Sequence, residues 1–230
     1  MKEVLCFSAG IDSLIAWRFL YKPFCLHVIG NTRYWFEEME AVLRVRSAHP
    51  KMKLDINSQT WLRDFEEEDA NIAARNLLFV DIAAHYGDKI YLVAQRGEQS
   101  IPDRSPEFFS RVSELLSFLY NKEKIVSPVF GDKTKADMVM EYLQRGFPPE
   151  ELWSTYSCFT KGPGRCGRCK ACFRTAWALD YANILPNDFF KEDVWKWDNW
   201  ADYVERIGRG EIEERRAEQT MVVLKKRGIV

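Results

Sequence analysis

No hydrophobic stretch of this sequence approaches the ~18 consecutive apolar residues of a membrane-spanning helix, so a helix of that kind is not expected. Surplus charge is equally scarce. The 33 Lys and Arg nearly cancel the 34 Asp and Glu, leaving a net charge of −1. Whole-chain attraction to nucleic acid or to an anionic membrane therefore has no basis. Histidine is almost missing. His27, His49 and His85 fall in no triad-like arrangement, and each reads as structural. Internal repeats and low-complexity segments are absent. The start Met1-Lys2-Glu3 leads into too short an apolar run for a signal peptide, and the expected location is the cytoplasm. Cysteine is limited to 6 residues, and they are not spread as a disulfide framework.

What is present is ordinary in bulk and unusual in two places. An apolar content of 47% and a charged content of 29% over 230 residues suit a globular enzyme of one or two domains. The first unusual place is the N-terminus. Val4-Leu5-Cys6-Phe7 reads as a strand, Ser8-Ala9-Gly10-Ile11-Asp12-Ser13 as a tight loop, and the following residues as a helix. Free backbone N–H groups and the positive end of the helix dipole converge at such a junction and make an anion site. The alternative is a chance strand–turn–helix in which Asp12 or Ser13 is only an N-cap.

The rest of the first 150 residues alternates strands and helices. Strands are expected at 24–30, 52–56, 90–94 and 125–129. Helices are expected at 34–47 and 72–86, from Pro106 onward, and from a Thr134 cap to near Gly146. The acidic run Glu66-Glu67-Glu68-Asp69 reads as solvated. This alternation implies an α/β fold with a doubly wound parallel sheet, whose ligands bind beyond the carboxyl ends of the strands. That rule gathers the 8–13 loop, the residues after Gly30 and the loop after Ala94 on one rim. Pro148-Pro149 mark a boundary, so residues 1–150 are expected as the α/β domain and 151–230 as a metal-binding, helical C-terminal region.

The second unusual place is the spacing C-x7-C-x2-C-x2-C of Cys158, Cys166, Cys169 and Cys172. Four thiolates wrapped by short turns, here with Gly167, suit a closed tetrahedral zinc site, with an iron–sulfur cluster as the alternative. Lys161, Arg165, Arg168, Lys170 and Arg174 crowd the same stretch. They either offset the thiolate charge or face an anionic substrate. Cys6 and Cys25 read as inert core residues.

The N-terminal loop resembles the S-G-G-x-D-S loop of ATP-pyrophosphatases. With the four cysteines, the chain resembles the 7-cyano-7-deazaguanine synthase (QueC) family. Ala73-Ala74-Arg75-Asn76 is similar to that family's P-A-R-N segment, and Pro102-Asp103-Arg104-Ser105-Pro106-Glu107-Phe108 to its P-D-C-R-P-E-F segment. Tyr156-Ser157-Cys158-Phe159 is similar to its W-S-C-Y. Four departures stand out. Ala9 replaces a Gly, a change compatible with the loop if Ala9 keeps φ < 0 and points its Cβ away from phosphate. Asn31 stands where Gln is usual, Arg104-Ser105 where Cys-Arg is usual, and Arg174 one residue early.

The resemblance implies a HUP/PP-loop type fold with a C-terminal zinc-binding helical region. It further implies ATP-dependent conversion of 7-carboxy-7-deazaguanine and ammonia to 7-cyano-7-deazaguanine through a carboxyl adenylate and an amide. Ser8, Ala9, Gly10, Ile11, Asp12 and Ser13 would hold the ATP phosphates, with Asp12 orienting the loop or binding magnesium. Val28, Ile29, Gly30 and Asn31 would contact the nucleoside. Arg75 is either a phosphate clamp or one half of a surface ion pair, and Lys135 either reaches phosphate or is solvated. Asn76, Asp103, Arg104 and Glu107 are the candidate substrate contacts. The alternatives are a ligase stopping at 7-amido-7-deazaguanine and a tRNA-modifying or nucleic-acid-binding protein. Residues 186–230, with Trp195, Trp197 and Trp200, are expected to form a helical cap on the core, the alternative being a dimer or partner interface.

Overall fold

A computed structural model of the chain describes residues 1–68, 72–196 and 199–230. Asp69 of the acidic run and Trp197 of the tryptophan cluster lie outside the described residues. Five strands, β1 (Glu3–Cys6), β2 (Phe24–Ile29), β3 (Leu54–Ser58), β4 (Lys89–Val93) and β5 (Ile125–Val129), form one sheet of order β3-β2-β1-β4-β5. Every pairing is parallel. The order reverses between β1 and β4, where a crevice opens at the carboxyl ends of a doubly wound sheet.

Nine helices accompany the strands among the described residues: α1 (Ile11–Phe19), α2 (Trp35–Ala48), α3 (Arg75–Ala84), α4 (Pro106–Tyr120), α5 (Lys135–Gln144), α6 (Pro149–Trp153), α7 (Lys170–Tyr181), α8 (Trp200–Gly208) and α9 (Glu214–Lys226). None is long and apolar enough to cross a membrane.

The period-2 geometry of strands explains how one sheet feeds two cores. Val4, Leu26, Ile90, Leu92 and Val126 join Val80 of α3 and Val112 and Leu116 of α4. Their neighbours Leu5, Cys25, Tyr91 and Val129 point the other way. They join Trp17 of α1, Met138 and Tyr142 of α5, Trp177 of α7 and Leu224 of α9. This second core runs through both the 1–150 and 151–230 segments. The C-terminal residues cap it as expected. Trp200 is buried, its ring edge-on to Phe173 at 4.2 Å and stacked on Trp195 at 5.7 Å.

The strand and helix pattern expected from sequence is found, with shifted ends. The third strand starts at Leu54, leaving Met52 as a buried residue outside it. Helix α3 starts only at Arg75, because Ala74 takes a left-handed conformation (φ 56°) that a helix cannot continue. Glu66 departs from the solvated reading. Its carboxylate binds the Arg33 Nε and backbone N, while Arg33 also donates to the Glu67 and Glu68 carbonyls.

Candidate active site

The loop between β1 and α1 is knitted by its own hydroxyls. Gly10 N donates to Ser8 Oγ (3.3 Å), Ser13 Oγ donates to the Gly10 carbonyl (3.0 Å), and Ser8 N donates to Ser13 Oγ (3.3 Å). Ser8, Gly10, Asp12 and Ser13 line a cavity of about 260 Å³ at the crevice. Ala9 does not. It is fully buried in the core, and its carbonyl accepts from Tyr156 N at 3.0 Å. The condition φ < 0 is not met: Ala9 sits at φ 55°, in the left-handed region that favours glycine. The tie to Tyr156 fixes the backbone, and the methyl turns into the core, away from the cavity. Ile11, the other loop residue outside the cavity, is likewise a core side chain.

Helix α5 begins on the same rim. Thr134 and Asp137 form a reciprocal capping box, which sets Lys135 as the first helical residue. Lys135 is buried, not solvated, and its ammonium donates to both oxygens of Asp12 at 2.5 and 2.6 Å. Two helix N-termini and a Lys–Asp pair thus meet at the phosphate-type loop, an arrangement suited to a polyanion.

At the carboxyl end of β2 and just after it, alternate residues Val28, Gly30 and Thr32 face the cavity, whereas Ile29 and Asn31 do not. A side chain at Gly30 would crowd Leu62 at 3.2 Å. Arg75 lines this wall with Tyr34 and Glu38. Its guanidinium lies 5.7 Å from the Phe79 ring and acts on Tyr34 and Glu38. Burial pushes the Glu38 carboxyl up to about 7, against the opposing pull of Arg75 and with help from Glu66 and Glu37. His27 lines the cavity but is structural, as expected. Its Nδ1 bonds the Phe7 carbonyl at 2.8 Å, and burial lowers its pKa.

The opposite wall is basic. Asn76 Nδ2 donates to the Asp103 carbonyl at 3.3 Å, bringing the two resemblance segments together through backbone. The Asp103 side chain is not part of the cavity wall. Glu107 is not brought to the cavity at all. Ser105 caps α4, and Glu107, in its first turn, faces solvent and pairs with Arg111 at 2.6 Å. Arg104 does reach the wall, where it meets Glu98, which sequence reasoning missed. Glu98 Oε1 accepts from Arg104 at 2.7 Å and faces Arg174 at 3.7 Å, and Oε2 accepts from Gln95 N at 3.1 Å. Burial works to raise the Glu98 carboxyl, but Arg104 and Arg174 outweigh it and hold it below the ordinary carboxylate value. The rule that ligands sit after strand ends pointed at the loop after Ala94, and was the available signal for Glu98. Tyr156, Ser157 and Phe159 stood out in sequence only as the lead-in to the cysteine cluster, and nothing local signalled Thr175; all four reach the cavity, from the cysteine segment and α7.

The four cysteine sulfurs converge within 4.8 Å of one another. Cys158 and Cys169 Sγ are 4.0 Å apart, and Cys166 and Cys172 Sγ 3.8 Å. A tetrahedron with metal–sulfur bonds of about 2.3 Å has edges close to these values. Backbone N–H groups of Cys166, Arg168 and Cys172 point at cysteine sulfurs at 3.4–3.5 Å, as thiolate ligands require. The donor set and its spacing fit a metal ion. Gly167 (φ 84°) turns the loop, and a Cβ there would overlap the Glu192 carbonyl. Of the nearby cations, Arg165 is spent on the Trp153 and Thr155 carbonyls and Arg168 on Glu192, whereas Arg174 faces the cavity.

A family-wide sequence model described as queuosine biosynthesis protein QueC matches residues 39–183, more than half of the 230 residues. The match leaves the 8–13 loop outside it. Several relatives are titled 7-cyano-7-deazaguanine synthase. The one from Methanothermobacter thermautotrophicus is 29% identical over 226 residues, covering 84% of this chain and 100% of that protein. The one from Archaeoglobus fulgidus is 27% identical over 227 residues, covering 85% and 92%. The one from Pseudoalteromonas atlantica is 32% identical over 103 residues, and there the match spans about half of that relative (47%) and 42% of this chain.

Proposed function

The chain belongs to the queuosine biosynthesis QueC family, and on that premise we propose that it makes 7-cyano-7-deazaguanine from 7-carboxy-7-deazaguanine, ammonia and ATP. The observation that carries the proposal is the cavity at the β1/β4 crevice. It joins a hydroxyl-rich loop, the Asp12–Lys135 pair and an arginine-lined wall in one space. Neither an amide-terminating ligase nor a nucleic-acid module is favoured by relatives of this kind.

A carboxylate is already a nucleophile, so the first step needs positioning and charge neutralisation rather than a strong base. One carboxylate oxygen attacks the α-phosphorus of ATP and pyrophosphate leaves. Ammonia then attacks the acyl carbon, and AMP departs with that oxygen, leaving the amide. The amide oxygen attacks the α-phosphorus of a second ATP, and pyrophosphate leaves again. Loss of both protons from nitrogen and cleavage of the C–O bond release AMP and leave the nitrile.

In this account Ser8, Gly10 and Ser13 donate to the β- and γ-phosphates from hydroxyls and backbone. Lys135 neutralises developing charge on the leaving pyrophosphate, and Asp12 fixes its ammonium between two oxygens. Magnesium would arrive with ATP, and Asp12 is the loop carboxylate placed to meet it. Val28, Gly30 and Thr32 offer backbone and small side chains to the nucleoside, and Arg75 neutralises the phosphate chain from the facing wall. Zinc in the four-cysteine cluster would be structural, since protein sulfurs fill all four positions. It would hold the segment that pins Ala9 and walls the cavity.

The test is mass spectrometry of products formed by the purified protein from 7-carboxy-7-deazaguanine, ammonium and Mg-ATP. A nitrile with AMP is expected, and Asp12→Ala should release no AMP. Absence of AMP from the unaltered protein would overturn the proposal.

A further inference from the structure

The wall opposite the phosphate-type loop carries more positive charge than it neutralises. Arg104 and Arg174 share a single carboxylate, Glu98, and both oxygens of that carboxylate are already engaged. The guanidinium of Arg216, bonded to the Arg96 carbonyl at 3.0 Å, adds to the same field. Two donors on this wall are buried without a hydrogen-bond partner, Arg104 Nε and Thr175 Oγ1. Both residues line the cavity. A buried N–H or O–H left without a partner is costly, so two such groups facing one space call for a polar group there. Surplus positive charge next to unfilled donors selects an anion. Arg104 and Arg174 are also two of the positions where this chain departs from the family's pattern, and the fold brings both to Glu98.

We infer that Arg104 and Thr175, with Arg174 and Glu98 holding the guanidiniums in place, form a recognition site for the substrate's carboxylate that distinguishes the acid from the carboxamide. A carboxylate accepts from Nε–H and the hydroxyl together and neutralises the surplus charge. A carboxamide can give its oxygen to Nε–H and its NH2 to the Thr175 hydroxyl, which also accepts, but it brings no charge to set against the two guanidiniums, so the same wall holds it more weakly. Glu98 is a positioning residue here: it touches the arginines, not the substrate. The inference rests on the activity proposed above and adds which residues read the acid.

The experiment compares two substrates supplied separately, 7-carboxy-7-deazaguanine and 7-amido-7-deazaguanine, with Mg-ATP and ammonium. It uses the unaltered protein and the variants Arg104→Gln, Arg174→Gln and Thr175→Val. Arg104→Gln is expected to raise KM for the acid about tenfold while changing KM for the amide and for ATP less than about twofold, and Thr175→Val, which removes a hydroxyl that either substrate can use, to raise both substrate KM values alike. Arg174→Gln removes the other guanidinium of the same wall and carries the test with the same expectation if Arg104→Gln does not fold. Equal effects of the arginine variants on acid and amide, no effect on either, or an effect on the KM for ATP alone would overturn the inference. Failure of the unaltered protein to release AMP with either substrate would instead sink the activity itself.

Discussion

Ala9 carries strain that its core contacts nearly offset. Holding a non-glycine residue in the left-handed region costs about 1–2 kcal/mol, and Ala9 is held there by the Tyr156 N–H on its carbonyl. Glycine would release that strain. It would also lose a buried methyl, about 0.8 kcal/mol, and add about 0.4–1 kcal/mol of unfolded-state freedom. Ala9→Gly should therefore leave the thermal midpoint within about 3 °C of the parent's; a drop of 10 °C would show that the methyl does more than fill space. Glu38 behaves differently. Burial raises its carboxyl from the ordinary 4.5 to about 7, with Arg75 opposing and Glu66 and Glu37 assisting. A raised acid favours the fold below its unfolded value, and that advantage is lost as pH climbs through about 7. Glu38→Gln should be more stable than the parent by about 2 kcal/mol at pH 8, with the gap closing toward pH 5. Thermal melts across that range check the sign, and a gap that widened on acidification would refute it. Neither residue's state was legible in the sequence. The φ of Ala9 is held by a hydrogen bond from Tyr156, 147 positions away in the chain, and Glu38 meets Arg75 of α3 only where the fold brings both to the cavity wall.

At the scale of elements, the legible features were those written in local spacing. The Thr134–Asp137 capping box, the start of α4 at Pro106 and the C-x7-C-x2-C-x2-C run each depend on residues within a few positions, and each appears where expected. What α5 does with its first residue was not legible. Lys135 is buried on Asp12 only because β5 lies beside β4 and delivers α5 to the rim shared with α1. The cysteine loop is the element most dependent on a group outside the chain. Four thiolates gathered within 4.8 Å repel one another without a cation between them. Structural zinc contributes many kcal/mol to small folds of this kind. Treatment with a strong chelator should lower the thermal midpoint by roughly 10 °C or more. Because Tyr156 anchors Ala9, the same treatment should abolish ATP binding even after excess magnesium is restored. An unchanged melt would mean that the cysteines fold the loop without metal.

For the whole molecule, the doubly wound sheet was readable because buried parallel strands and amphipathic helices have different periods. The division near residue 150 marks where the alternating pattern stops, and we propose it as a boundary of composition rather than of packing. Trp17, Tyr142, Trp177 and Leu224 share one core across it. The cavity is likewise a joint product: β1, β2, α3 and α5 supply one side, and the cysteine segment and α7 the other. Its missed residues, Glu98 and Thr175 among them, come together with Arg174 only in the finished fold. The central claim is that this cavity transfers the carboxylate's oxygens to AMP. Its most direct test is to supply 7-carboxy-7-deazaguanine with both carboxylate oxygens isotopically labelled, together with Mg-ATP and ammonium, and to weigh the products. The account predicts an unlabelled nitrile and one labelled oxygen in each AMP released. Unlabelled AMP, or label retained in the final product, would contradict it.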